Sequence, residues 1–86
     1  MISNTHIVLS AYNGSQFISE QIQSIRDQTF RDWCLWIRDD GSTDDTFSVL
    51  EEVATSDPRI FLYPRDGRQL GASGGFSWLL ERLPDE

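Results

Sequence analysis

Three short apolar runs alternate along this chain with three segments whose apolar residues recur at helical spacing. Ile7-Val8-Leu9 is an unbroken aliphatic run closed by Ser10-Ala11-Tyr12-Asn13-Gly14. It predicts a strand buried on both faces, followed by an Asn-Gly turn. Ser15 is placed to cap a helix. Ile18, Ile22 and Ile25 then fall at i, i+4 and i+7, one helix face that fades near Gln28-Thr29. Trp33 to Ile37 reads as the second strand. Thr43 or Asp44 caps a second helix, with Phe47, Leu50 and Ala54 facing inward. Ser56-Asp57-Pro58 ends that helix, because proline disfavours helical backbone at the residue before it. Ile60 to Tyr63 is the third strand, stopped by Pro64. A polar, Gly-rich loop is expected from Arg65 to Gly75. Phe76, Leu79, Leu80 and Leu83 mark a third helix, ended by Pro84.

The order β-α-β-α-β-α places the chain in the α/β class. The expected arrangement is Rossmann-like: three α/β/α layers around a parallel sheet with right-handed crossovers. With 86 residues there is room for one small domain, and a chain of this size buries only about 60% of its unfolded surface. No repeat, low-complexity tract or linker is visible. Asp85-Glu86 falls where a fourth strand is due, so residues 1–86 are expected to form a single partial domain, the N-terminal piece of a longer protein.

Composition narrows the partners. A net charge of −7 argues against nucleic acid or an anionic membrane surface. Cys34 is the single cysteine, so no intrachain disulfide can form. Its place in an apolar run fits a small packed side chain and a reducing compartment. The N-terminus lacks a basic region leading into a long apolar run, so no signal peptide is expected. The apolar stretches are too short to span a membrane.

The candidate chemistry gathers at Asp39-Asp40-Gly41-Ser42-Thr43-Asp44-Asp45-Thr46, a strand end, a tight turn and a helix start. In open parallel sheets, ligands bind outside the carboxyl ends of the strands. Ser10 to Gly14 and Asp39 to Ser42 would line one crevice there. Ser10, Ala11, Tyr12, Asn13, Asp39, Asp40 and Gly41 offer it a ring, a hydroxyl and two carboxylates, which together suit a nucleoside. The same residues also suit an ordinary turn with solvated acids. A calcium loop counted from Asp40 fails, because Asp45 stands at its obligatory glycine. No G-x-G-x-x-G or P-loop pattern occurs. Gly71-Ala72-Ser73-Gly74-Gly75 lets backbone N–H groups approach an anion, or serves as a flexible link. His6 reads as an edge residue. Trp33 and Trp36 pack on opposite faces of their strand, and Trp78 is partly exposed.

These residues carry a resemblance. Ile7 to Gly14, then Gln21-Ile22-x-Ser24-Ile25-x-x-Gln28-Thr29-Phe30, then Trp33-x-Leu35-x-Ile37-Arg38-Asp39-Asp40-Gly41-Ser42-Thr43-Asp44 resembles the start of a family 2 glycosyltransferase of the GT-A fold. Asp57-Pro58-Arg59-Ile60 and Leu70-Gly71-Ala72 continue it, so it covers nearly the whole chain. The resemblance implies that Ser10, Ala11 and Tyr12 border the nucleobase of a UDP- or dTDP-sugar. It implies that Asp40 contacts the base beside Asp39, and that the loop from Arg68 through Gly71 to Ser73 closes over base or ribose. It further implies inverting sugar transfer to a glycan or lipid-linked acceptor at the cytoplasmic face, assisted by Mg²⁺ or Mn²⁺. The family's D-x-D metal motif, its catalytic base and its acceptor half have no counterpart here, so the isolated chain is expected to be inactive. Arg38 stands where many members carry an apolar residue, and Arg38-Asp39-Asp40-Gly41-Ser42 leans towards lipopolysaccharide and rhamnosyltransferase-like members. A non-catalytic nucleotide-binding or scaffold module is the alternative. The family's sheet sets the first strand beside a fourth strand that has no counterpart here, so that strand would be an exposed edge inviting self-association.

Overall fold

The computed structural model describes residues 5–29 and 31–83. Phe30 of the family pattern and the expected helix stop at Pro84 lie outside them. The elements are β1 (Thr5–Ala11), α1 (Ile18–Arg26), β2 (Trp33–Asp39), α2 (Thr46–Ser56), β3 (Ile60–Leu62) and α3 (Gly71–Glu81). The strands form one parallel sheet in the order β1-β2-β3, with Thr5 opposite Trp33 and Ala11 opposite Asp39. The α/β class, the element order and the parallel pairing are those expected.

Period-2 alternation divides β2 between two layers. Trp33, Leu35 and Ile37 are buried on one face with Ile18 and Ile22 of α1, Leu50 of α2 and Ile60 of β3. Fully burying an aliphatic side chain of this kind stabilises by about 1.5–3 kcal/mol. The other face carries Cys34, Trp36 and Arg38, and α3 packs there against β1 and β2. Trp36 stacks on Phe61 at 4.5 Å, and Tyr63 meets Trp78 edge-on at 5.0 Å.

Several local expectations are corrected. Ile7, Val8 and Leu9 are half-buried rather than buried on both faces, because β1 is an edge of the described sheet. The N-cap of α1 is Phe17 rather than Ser15, and that of α2 is Asp45. Asp44 still serves α2, its Oδ1 accepting the Thr46 N–H at 2.9 Å.

The largest correction is α3. It begins at Gly71, five residues before the expected Phe76, so the glycine run is helix and neither loop nor flexible link. Asp40 replaces low glycine propensity with a fixed cap, its oxygens accepting the Leu70 and Gly71 N–H groups at 2.7 and 2.9 Å. Leu79 is buried as expected, whereas Phe76 and Leu80 are each 47% exposed.

Gly75 shows why small residues serve this helix. A Cβ there would collide with Ser10 Oγ and sit 3.2 Å from Ser10 Cβ. Gly75→Ala is therefore expected to destabilise by about 1–2 kcal/mol, overpacking outweighing better helix propensity. Ser10→Gly should remove the penalty. Urea denaturation of both singles and the double variant checks this, with a coupling of at least about 1 kcal/mol expected; additivity would refute it.

Candidate nucleotide-binding cleft

The carboxyl ends of β1 and β2 are tied together by side chains of the two loops that leave them. Asn13 adopts a left-handed conformation, φ 47°. Its N–H donates to Ser42 Oγ at 2.8 Å, and its Oδ1 accepts the Thr43 N–H at 2.8 Å. The Gly14 N–H donates to Thr46 Oγ1 at 2.9 Å, and Ser15 Oγ donates to Asp44 Oδ2 at 3.0 Å. Gly41 turns the chain at φ 80°, a conformation that disfavours a side chain.

The two aspartates do different work. The Asp39 side chain is fully buried and closes its own turn, accepting Ser42 Oγ at 2.5 Å and the Ser42 N–H at 3.1 Å. Arg65 reaches it at 3.3 Å while lying over the Phe47 ring. Asp40 faces the other way. Its Oδ1 accepts from Arg38 Nη1 and from the Leu70 N–H, and its Oδ2 from the Gly71 N–H. The anion at the start of α3 is thus a carboxylate of the chain itself, placed where the helix dipole favours negative charge.

Arg38 is 2% exposed. Besides Asp40, its Nη2 donates to Asp66 Oδ1 at 2.9 Å and to the Arg68 carbonyl at 3.0 Å, and its guanidinium lies 5.3 Å from the Trp78 ring. A buried ion pair is tolerable only when its remaining donors and acceptors are met in this way. Burial pushes the Asp40 carboxyl up, but the Leu70 N–H, Arg38 and the Gly71 N–H outweigh it and hold it below the usual range.

A cleft of about 500 Å³ opens beside this pair, lined by Ser10, Tyr12, Asp40, Gln69, Leu70 and Gly71. Of the residues proposed from sequence, Ser10, Tyr12, Asp40 and Gly71 line it. Ala11 is buried, Asn13 and Asp39 are engaged in the turns, and Gly41 sits below the backbone of Arg68. Arg68 pairs with Asp66 at 3.0 Å, and Ser73 is exposed on the first turn of α3 without lining the cleft. Gln69 and Leu70, not singled out from sequence, fall within the Arg68 to Ser73 loop that the resemblance set over base or ribose, and both line the cleft. Sequence reasoning noted Arg38 only as a departure; the available signal was an arginine inside an apolar strand, two residues before Asp40 and hence on the same face.

Three further carboxyls lie low. The Thr46 hydroxyl and N–H hold Asp44 at about 2, and the Arg68 N–H and guanidinium, with Arg38, hold Asp66 at about 2. The Arg59 guanidinium lowers Asp57. Groups lowered on folding stabilise fully above their unfolded value, here 3.8, and lose that contribution as pH falls through the folded values. Urea midpoints are therefore expected to stay level from about pH 6 to about pH 4 and to drop towards about pH 2.5. Asp66→Asn should flatten part of that drop; a midpoint that rises on acidification would contradict the assignment.

Comparison with known proteins identifies the family. Residues 6–83 match the glycosyl transferase family 2. The chain is 44% identical over 54 residues to an uncharacterized glycosyltransferase of Haemophilus influenzae, a match covering 63% of this chain and 17% of that protein. It is 36% identical over 74 residues to the dTDP-rhamnosyl transferase RfbG of Shigella flexneri, covering 85% and 26% respectively. It is 41% identical over 69 residues to the UDP-Glc:alpha-D-GlcNAc-diphosphoundecaprenol beta-1,3-glucosyltransferase WfgD of Escherichia coli, covering 79% and 26%. The chain thus spans about a quarter or less of the length of these relatives. With the family pattern running through β1, β2 and α3 and almost the whole described chain, this protein belongs to glycosyl transferase family 2.

Proposed function

We propose that the cleft receives the nucleoside of a UDP- or dTDP-sugar, and that the chain is the donor-recognition part of a glycosyltransferase serving cell-surface polysaccharide synthesis. The observation that carries this reading is the cleft's position and lining. It opens at the carboxyl ends of β1 and β2, where such sheets bind ligands. It combines a half-exposed aromatic ring, Tyr12, with a serine hydroxyl and a carboxylate fixed in its ionised form. The ring offers a stacking surface, and the carboxylate an acceptor for an N–H or O–H group. Relatives named for a dTDP-sugar and for UDP-Glc support the donor class.

Inverting transfer to a glycan or lipid-linked acceptor, at or near the inner membrane face, completes the proposal for the longer protein. No helix among the described residues is long and apolar enough to cross a membrane. A divalent ion, Mg²⁺ or Mn²⁺, is proposed for the longer protein as well. The residues described here do not fit its site: Asp39 and Asp40 are engaged by Arg65 and Arg38, and no three His, Cys, Asp or Glu side chains among the described residues gather as ligands. No step is therefore assigned to a metal in this chain.

Calorimetric titration with UDP and dTDP tests the reading. Both are expected to bind, and Tyr12→Ala should weaken them roughly three- to tenfold by removing the stacking surface while leaving the urea midpoint unchanged. A folded chain that binds neither, or binding indifferent to Tyr12→Ala, would refute it. The 86-residue chain should show no sugar transfer.

Self-association belongs to the same proposal. The outer edge of β1 is unpaired within the described sheet and can template a strand from a second copy. Light scattering at rising concentration should show dimers; a monomer throughout would remove this element.

A further inference from the structure

Asp40 offers four acceptor positions as a carboxylate, and three of them are occupied inside the protein. Oδ1 takes Arg38 Nη1 and the Leu70 N–H; Oδ2 takes the Gly71 N–H. One position on Oδ2 remains, on a residue that lines the cleft. Gln69 stands on the same wall, exposed, with no hydrogen bond from its amide to another described residue. Its amide supplies a donor and an acceptor of its own.

Resting on the nucleoside reading above, we infer that Arg38 is a specificity-determining residue that sets the cleft against guanine by leaving Asp40 a single acceptor. A base whose edge presents one N–H beside a carbonyl can be satisfied here. The N–H goes to Asp40 Oδ2, and the carbonyl takes the Gln69 amide. Uracil, thymine and hypoxanthine have such an edge. Guanine places a second N–H donor next to the first and would need both carboxylate oxygens. Its second donor would meet Oδ1, whose positions are filled by Arg38 and Leu70, and would lie among N–H donors with no acceptor. An unmet donor in a desolvated site weakens binding by roughly tenfold.

Arg38 acts here through Asp40, and its effect is on base choice rather than on binding as such. Inosine diphosphate and GDP isolate it, because they differ only in the 2-amino group that carries the second donor. In calorimetric titrations of the 86-residue chain, UDP and inosine diphosphate are expected to bind, and GDP roughly tenfold more weakly than inosine diphosphate. Arg38→Met frees a position on Oδ1 and should bring GDP level with inosine diphosphate or tighter. Arg38→Lys, which keeps one donor on Asp40, should retain the difference. Circular dichroism establishes which variants are folded. If Arg38→Met does not fold, the wild-type ratio still tests the inference, since GDP binding level with inosine diphosphate overturns it. GDP binding as well as inosine diphosphate to the wild-type chain overturns the inference, as does an unchanged ratio in folded Arg38→Met. A folded chain that binds no nucleoside diphosphate overturns the nucleoside reading as well, so the two failures are distinct.

Discussion

The contact between Arg38 and Asp40 is the constraint on which the carboxyl end of this sheet depends. Alternation along β2 sends Arg38 to the face covered by α3, where an uncompensated charge would be prohibitive. The pair survives because its remaining valences are met: Asp66 and the Arg68 carbonyl by Arg38, the Leu70 and Gly71 N–H groups by Asp40. Removing one partner of such a pair typically costs about 3–5 kcal/mol. The loop between β3 and α3 and the first turn of α3 are both held from this point, and they form one wall of the cleft.

The opposite wall rests on a second set of contacts. Short hydroxyl and amide side chains of Asn13, Ser15, Ser42 and Thr46 join the loop after β1 to the loop after β2. Such networks are rigid because each member is satisfied by a neighbour, and a single gap leaves a polar group unmet. Much of the acidic motif is therefore scaffold. The side-chain polar and aromatic groups left open on the cleft are few: the ring of Tyr12, the Ser10 hydroxyl, the Gln69 amide and one position on Asp40.

The apolar runs made the elements legible, since burial decides whether Leu35, Ile37 and Leu50 are covered and burial follows local pattern. The crevice was legible for the same reason, because strand ends and parallel order can be read without side-chain detail. The start of α3 was not. It depends on a carboxylate about thirty residues earlier in the chain, and glycine content alone argues for a loop there. Gln69 could not be singled out within the Arg68 to Ser73 loop, because the loop's backbone, pinned by Arg38, selects which side chain lines the cleft. The half-buried state of β1 follows from its place at the edge of the described sheet, a topological fact that its own residues do not carry.

Adjacent aspartates make the limit of motif reading concrete. Asp39 is the last residue of β2 and follows the face of Ile37, so it turns towards Ser42 and Arg65. Asp40 continues the ladder, its N–H donating to the Ala11 carbonyl at 2.7 Å, and follows the face of Arg38. One step along a pleated strand therefore separates a turn-closing acid from a cleft acid. The two cannot exchange roles whatever their chemical identity. The acidic motif locates the pair, but the pleat decides which of the two carboxylates lines the cleft, and Arg38 decides how many of its acceptor positions remain open.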